Sequence, residues 1–272
     1  MTPTAPNKTI ILQERDRSLI HMLTEEFRIL SREQIGELFP MGSTARLNFR
    51  LKQLRDGGYL SSRQLSGLGA AIKRGYYLGP RATELFSDPT EKRLVETIRH
   101  QAAQLSESGL AHRLLVDSVH IRFLTAARDY ANYKLLTWVD QYSPWWKGVR
   151  DYGVPVQPDG YGEYLMLMYF ESLFTFFVEV DRGTERGEAI QNKIDRYIEY
   201  ADSGLYERQF AAPFFRVLLI TTSVRRLEGL LATIEAKTDK LFWVTTWDRF
   251  RQAKLLDPYW QRPRRKGFYS LS

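Results

Sequence analysis

Residues 172–184, SLFTFFVEVDRGT, form an almost unbroken apolar run that ends in two carboxylates. A strand that is apolar on both sides must be covered on both sides, so this run predicts a central strand of a sheet. Apolar periodicity before and after it predicts an α/β domain over residues 111–272, with helices packed on the sheet. The predicted order is helix 112–130, strand 134–141, extended pieces in 154–167, strand 172–184, helix 186–204, strand 214–223, helix 225–238 and a last strand 240–247.

The first third of the chain has a different pattern, of three short helices followed by a hairpin. Its first helix is indicated by apolar residues at helical spacing. Ser31 with Gln34 forms a capping box that opens the second helix, and Ser43 caps a third, TARLNFRLKQLRDGG. Segments 59–65 and 72–79 are predicted as the two strands of the hairpin. This order predicts a winged helix-turn-helix over residues 10–88, with a connecting helix at 89–110.

Basic residues are concentrated in two regions of the chain, which has a formal net charge of +7. Residues 41–81 contain eight Lys or Arg and one acid, and residues 249–272 contain seven Lys or Arg and one acid. The rest of the chain is therefore acidic overall. Two basic regions on an otherwise acidic chain favour a polyanionic partner, most often nucleic acid.

The third helix is the candidate DNA-reading element. Its apolar stripe of Leu47, Leu51 and Leu54 leaves polar and basic side chains on the outer side. Arg and Asn are the usual bidentate partners of guanine and adenine in the major groove, which admits one helix. The basic residues of the hairpin would reach a phosphate or the minor groove as the wing. The predicted DNA-binding residues are Ser43, Thr44, Arg46, Asn48, Arg50, Lys52, Arg55, Lys73 and Arg74.

Two other interpretations of this region stay open. The charged residues on the outer side of this helix are also compatible with a surface that is only solvated and binds no partner. A winged domain can also be used for protein contacts, which would make the chain an assembly adaptor. A duplex-selection experiment that enriches no DNA sequence would favour the adaptor.

The two carboxylates at the end of the apolar run raise the question of a metal site. In a strand, side chains alternate, so Glu179 and Asp181 lie on the same face about 7 Å apart. Asp159, in the turn Pro158-Asp159-Gly160, lies on the preceding strand and converges with them in this prediction. Three oxygen ligands suit Mg²⁺ or Mn²⁺, which polarises a phosphate and generates a hydroxide. The alternative is that the two acids have no metal to bind and only mark the point where the strand reaches solvent.

Several of these segments together resemble a known family. PDG at 158–160 is followed by EVDRGTE at 179–185, and the next helix carries Lys193 and Tyr197. This pattern resembles the restriction-endonuclease-like, PD-(D/E)xK core, and residues 10–250 resemble the replication-relaxation family of bacterial plasmids and other mobile elements. The resemblance implies a restriction-endonuclease-like mixed sheet after the winged helix. It also implies a role in replication of such an element, or in transcription from it.

The sequence departs from the nuclease pattern at one position. The pattern has a lysine two residues after the acid, where its ammonium orients the attacking water and stabilises developing charge. Here Asp181 occupies that position. Lys193 is placed to supply the cation from the next helix, or to neutralise the acids in a structural cluster without metal. The candidate catalytic residues are therefore Asp159, Glu179, Asp181 and Lys193, the first three also as candidate metal ligands.

These observations predict a winged-helix DNA-binding protein of a plasmid or mobile element, acting in replication or its transcriptional control. The alternative is a Mg²⁺- or Mn²⁺-dependent DNA nuclease; DNA binding itself is expected to need no cofactor. Double-stranded DNA is the predicted partner. A homodimer is a further expectation because many helix-turn-helix proteins bind two half-sites, and contacts with replication proteins are another.

Composition adds an expectation about location. The chain has no Cys, no apolar run long enough to span a bilayer and no signal-peptide pattern at its N-terminus. A cytoplasmic protein without a membrane partner is therefore expected. Residues after 249 are interpreted as a basic tail with interleaved aromatic residues, suited to a phosphate backbone or a stacked base, or simply solvated.

Overall fold

The computed structural model describes residues 10–64, 74–141, 143, 156–167, 171–183, 187–210 and 212–272. The chain divides into two compact units, Met1–Ile121 and Arg122–Ser272. The segment 89–110, predicted as a connection, thus belongs to the first unit.

The first unit begins with three helices and a small antiparallel sheet with strand order β1-β3-β2. The three helices and the hairpin follow in the predicted order, and β1, between α1 and α2, is a further strand that the sequence analysis does not predict. The predicted caps are present, because Ser31 and Gln34 form a reciprocal capping box and Ser43 accepts a hydrogen bond from the Arg46 amide. The elements are α1 (Glu14–Glu25), β1 (Leu30–Ser31), α2 (Arg32–Leu38), α3 (Thr44–Asp56), β2 (Leu60–Gln64) and β3 (Arg74–Leu78).

Helices follow the small sheet. A 3-10 helix (Pro80–Leu85) leads to α4 (Pro89–Gln104) and α5 (Glu107–Thr125). Pro89 is the first residue of α4, where a missing amide costs nothing, and Asp88 caps the helix. None of the helices in the described ranges combines the length and the apolar character needed to cross a lipid bilayer.

The second unit is built on a mixed sheet of strand order β10-β9-β8-β7-β6-β5-β4. The three inner strands β6, β7 and β8 are parallel, and the strands on both sides of them pair antiparallel. This confirms the predicted mixed sheet flanked by helices. The elements are a 3-10 helix (Ala126–Arg128), β4 (Tyr133–Asp140), β5 (Gly160–Leu167), β6 (Glu171–Asp181), α6 (Glu188–Asp202), α7 (Leu205–Phe210), β7 (Arg216–Thr221), α8 (Val224–Glu235), β8 (Phe242–Thr246), α9 (Trp247–Gln252), β9 (Trp260–Arg262) and β10 (Arg265–Tyr269).

Strand β6 is covered on both faces, as its sequence predicts. Phe176 and Phe177 are both fully buried. Phe176 stacks on Phe123, with ring centroids 4.3 Å apart, whereas Phe177 belongs to the core made with α6 and α8. Neighbouring residues of a strand point to opposite faces of the sheet. The burial of these two rings therefore shows that both faces are covered.

The C-terminal segment differs from the prediction, which placed the last strand at 240–247 and a tail after it. Strands β9 and β10 form a hairpin that extends the sheet beyond β8, with Val244 opposite Gln261. Some side chains of this segment pack on the sheet, such as Arg262, whose guanidinium lies 4.7 Å from the centre of the Trp243 ring, whereas residues 264–268 are exposed. Leu271 is buried, and its carbonyl accepts a hydrogen bond of 2.6 Å from the Tyr164 hydroxyl.

Candidate functional site

Helix α3 presents one face to the core of the first unit and the other to solvent. Leu47, Leu51 and Leu54 are buried, as the stripe predicts. The Ser43 hydroxyl accepts a hydrogen bond of 3.3 Å from the Arg46 amide, which fixes the first turn. Among the predicted contacts, the exposed ones on this helix and at its cap are Ser43, Thr44, Arg46, Asn48 and Lys52.

The centre of this outer face is a residue that the sequence interpretation missed. Phe49 is 64% exposed. At 100° per residue it lies about 200° around the helix from Leu47, and therefore opposite the buried stripe. The same geometry could have identified it from the sequence, because the leucine positions define the direction away from the core.

Arg50 was predicted to contact DNA, but its side chain does not face outward. Its Nε lies 3.0 Å from Asp16 Oδ1, and Nη2 donates to the Ile11 carbonyl at 2.8 Å. The side chains of Arg50 and Asp16 are only 11% and 1% exposed. Arg50 thus ties α3 to α1. The leucine stripe predicts correctly that Arg50 lies off the buried face, but its partner is 34 residues earlier in the chain.

The two other basic residues at the end of α3 are partly neutralised. Lys52 Nζ lies 2.6 Å from Asp56 Oδ2, and Arg55 Nη2 lies 3.4 Å from Asp56 Oδ1. The hydrogen bond from Lys52 lowers the pKa of Asp56. These are exposed pairs, which a phosphate can displace at small cost.

The hairpin predicted as a wing is described only in part. Arg74 is exposed and begins β3 opposite Gln64. Lys73 falls in 65–73, outside the described residues. Of the two predicted wing contacts, Arg74 is therefore the one that the structure describes.

The second candidate site lies where β5 and β6 meet α6. Asp159 precedes Gly160, which pairs with Val178, and Asp159 Oδ2 accepts a hydrogen bond of 2.7 Å from the Val180 amide. Lys193 and Tyr197 are four residues apart on α6 and so share one face. Lys193 Nζ lies 2.9 Å from Glu179 Oε2, and the Tyr197 hydroxyl donates to Glu179 Oε1 at 2.6 Å.

This cluster has unusual electrostatics because its carboxylate is buried. Burial raises the pKa of Glu179 to about 7, against the opposing effect of the Lys193 charge, and the charge of Asp159 raises it further. The pKa of Tyr197 is also raised, by burial first and by Glu179 second. Asp159, Glu179 and Lys193, three of the four predicted catalytic residues, are therefore electrostatically linked.

The fourth, Asp181, has different partners. Arg226 Nε of α8 lies 2.8 Å from Asp181 Oδ2, and the Thr221 hydroxyl donates to the same oxygen at 2.7 Å. The Gly183 amide donates to Asp181 Oδ1 at 2.9 Å. Burial acts to raise the pKa of Asp181, but these hydrogen bonds outweigh it and lower the pKa. Nothing in the sequence pattern pointed to Arg226.

The fit of these residues to Mg²⁺ or Mn²⁺ is poor. Both oxygens of Glu179 are occupied by donors from α6, and Asp181 is held by Arg226. Among the residues that the structure describes, no group of three or more His, Cys, Asp or Glu side chains is arranged to hold a metal ion. The predicted metal set of Asp159, Glu179 and Asp181 is therefore not assembled, whereas a catalytic role for these residues with Lys193 stays a prediction.

A cleft of about 390 Å³ opens beside the cluster. Glu179, Lys193 and Tyr197 line its inner side, and Asn192 and Arg196 of α6 also line it. Thr184 and Glu185, which also belong to the recognised segment, lie outside the described residues. The cleft is accessible, but the buried carboxylate of Glu179 in its wall is already paired with Lys193.

A family model matches most of this chain. The model described as replication-relaxation matches residues 21–212, from the end of α1 through α2, α3, the small sheet and the carboxylate cluster. No curated protein and no solved structure matches the chain.

Proposed function

Because the chain belongs to the replication-relaxation family, we propose that it acts in replication of a plasmid or other mobile element by binding double-stranded DNA. Family membership supports a role in replication in general. Duplex binding by α3 in a major groove, and control of transcription from the element, are the finer parts of this proposal.

The outer face of α3 is the observation that carries the proposal. Arg46 and Asn48 are exposed, and neither side chain has a hydrogen bond or ion pair within the described residues. Arg and Asn are the residue types that bind guanine and adenine edges, and an unpaired Arg also attracts phosphate. The small sheet adds Arg74 beside β2, where a wing would reach the DNA backbone.

The test is a duplex selection followed by a gel shift. A random-sequence duplex pool is first selected on the wild-type protein, and the enriched duplex is then used as the probe. In the double variant Arg46→Ala/Asn48→Ala, each truncated side chain that binds a base edge is expected to weaken binding by about 1–3 kcal/mol.

Lys92→Ala is the control, because Lys92 is exposed on α4 and its side chain has no partner within the described residues. It should bind the probe as the wild type does. A selection that enriches no sequence, with binding that is insensitive to salt, would contradict the proposal and favour the assembly adaptor. Arg50→Ala is not a suitable probe of DNA contact, since Arg50 is part of the fold.

The metal-dependent nuclease is the second proposal for this chain. It is supported by the contact between Lys193 and Glu179, which brings a cation from α6 to the acid of the nuclease-like segment. The occupied oxygens of Glu179 and Asp181 weigh against it. We therefore favour a binding protein on a nuclease-like scaffold.

A further inference from the structure

The C-terminal hairpin is a well-anchored element, and residues 264–268 on it are exposed. Its turn, Pro263-Arg264, is fixed to the end of α8: the Arg264 amide donates to Glu235 Oε1 at 2.8 Å, and its guanidinium donates to the Glu235 carbonyl at 3.0 and 2.6 Å. These bonds satisfy a carbonyl at a helix end and hold Arg264 at a positive φ of 55°. The following strand, β10, is thereby held in place.

Two cations project from the start of β10 into solvent. Arg265 and Lys266 are exposed, and neither side chain has a hydrogen bond or ion pair within the described ranges. The register between β9 and β10 shifts between Arg265 and Tyr269, and Gly267 within this bulge has a φ of +94°. Bulges of this kind redirect side chains away from regular alternation.

An exposed aromatic residue follows these cations on the same strand. Phe268 is 47% exposed, and the Arg249 guanidinium lies 4.7 Å from the centre of its ring. Arg249 is itself held by Gln261, whose Oε1 accepts a hydrogen bond of 3.2 Å from Nη1. The ring is therefore fixed by a cation–π contact while much of its surface stays open. We call Arg249, Arg265, Lys266 and Phe268 the hairpin surface.

We propose that the hairpin surface binds single-stranded DNA. Proteins that bind single strands combine cations that follow the phosphates with aromatic rings on which bases stack. Arg265 and Lys266 supply the phosphate contacts, and Phe268 supplies the stacking face. A single strand is favoured over a duplex because the faces of its bases are accessible, whereas those of paired bases are covered by their neighbours. This site is separate from α3 and goes beyond the duplex binding proposed above.

The full-length protein is tested by fluorescence anisotropy with a labelled 20-nucleotide oligo-dT. Phe268→Ala is expected to weaken binding about tenfold, within the usual effect of removing one stacking ring, and Phe268→Tyr should restore it. The double variant Arg265→Ala/Lys266→Ala should reduce the slope of log affinity against log salt by about 1.4, because two single-strand phosphates are no longer neutralised. Thermal melting confirms that each variant is folded.

Lys92→Ala/Arg93→Ala is the charge-matched control, with two exposed cations removed from α4. If it lowers the salt slope as much as the hairpin variant does, binding follows net charge and the proposal is wrong. Equal binding by Phe268→Ala and wild type also overturns it. So does aggregation of the hairpin variant with unchanged oligo-dT affinity, because the cations would then only protect a sheet edge.

Failure of this proposal can be distinguished from failure of duplex binding. Arg46→Ala/Asn48→Ala should lose the selected duplex but keep its affinity for oligo-dT. Loss of oligo-dT binding in that variant would assign single strands to α3 and overturn the inference. Duplex binding without any oligo-dT binding would overturn this inference alone.

Discussion

Among single residues, Arg50 shows most clearly how a basic residue on the proposed DNA-reading helix can belong to the fold. Its partner Asp16 is almost completely buried. Removing one member of such a pair leaves the other charge buried without compensation, which costs about 3–5 kcal/mol. We expect Arg50→Ala to lower the free energy of unfolding by about this amount, measured by urea denaturation.

Lys52→Ala provides the comparison on the same helix. Lys52 is exposed, and its one ion pair within the described part of the chain is with Asp56. Exposed pairs of this kind contribute less than about 1 kcal/mol, so this variant should unfold almost like the wild type. If the two variants were equally stable, the Arg50–Asp16 pair would not tie α3 to α1.

Phe49 leads to a prediction about base recognition that rests on duplex binding. An exposed aromatic ring at the centre of a major-groove helix can contact the methyl group of thymine. Replacing thymine by uracil throughout the selected duplex removes only that methyl group. We expect the wild type to bind the uracil duplex more weakly, whereas Phe49→Ala should bind both duplexes equally in a gel shift.

Two outcomes of this experiment have different meanings. If wild type and Phe49→Ala respond equally to uracil, Phe49 does not contact thymine, although duplex binding stands. If Phe49→Ala binds both duplexes normally but loses self-association in a sizing experiment, the ring belongs to a homodimer contact.

At the scale of elements, the packing of α6 against β6 predicts a dependence of stability on pH. The pKa of Glu179 is raised from 4.5 to about 7, chiefly by burial. A raised pKa means that the folded protein holds this proton more tightly than the unfolded chain does. The contribution to stability is therefore full below pH 4.5 and is lost as the pH rises to about 7, by about 3 kcal/mol at most.

Glu179→Gln removes this titration while keeping the shape of the side chain. We expect its free energy of unfolding, measured between pH 4.5 and 7, to fall less with rising pH than that of the wild type. Glu199→Gln, an exposed change on the same helix, should follow the wild type. Parallel curves for wild type and Glu179→Gln would contradict a raised pKa at Glu179.

The sequence predicts an element well when the residues that determine it are neighbours in the chain, and poorly when they are far apart. The apolar run of β6 identified a central strand because a strand that is buried on both faces has apolar residues at consecutive positions. The meeting of Lys193 with Glu179 was also predicted, since helical spacing and the family resemblance together placed that lysine near the acid. The hairpin was missed because β9 is only three residues long and its register is irregular. Its cation–π contact with Trp243 joins residues far apart in the chain.

The whole molecule can be tested for the nuclease alternative directly. Supercoiled plasmid is incubated with the full-length protein and with Mg²⁺ or Mn²⁺, and nicking is followed on a gel. We expect the plasmid to stay supercoiled, because the carboxylates of Glu179 and Asp181 are held by Lys193, Tyr197 and Arg226. Metal-dependent nicking that Glu179→Ala abolishes would reverse the preference for a binding protein.

The position of the hairpin at the end of the sheet also bears on how the second unit is made. Strands β4 to β8 leave the ribosome before residues 260–269 do, so β8 is for a time an open edge. Its sequence FWVTT consists of aromatic and β-branched residues, and such an edge readily pairs with another chain. The hairpin thus closes an edge prone to aggregation, and until residues 260–269 have been made, β8 is a part of the nascent chain that chaperones must protect.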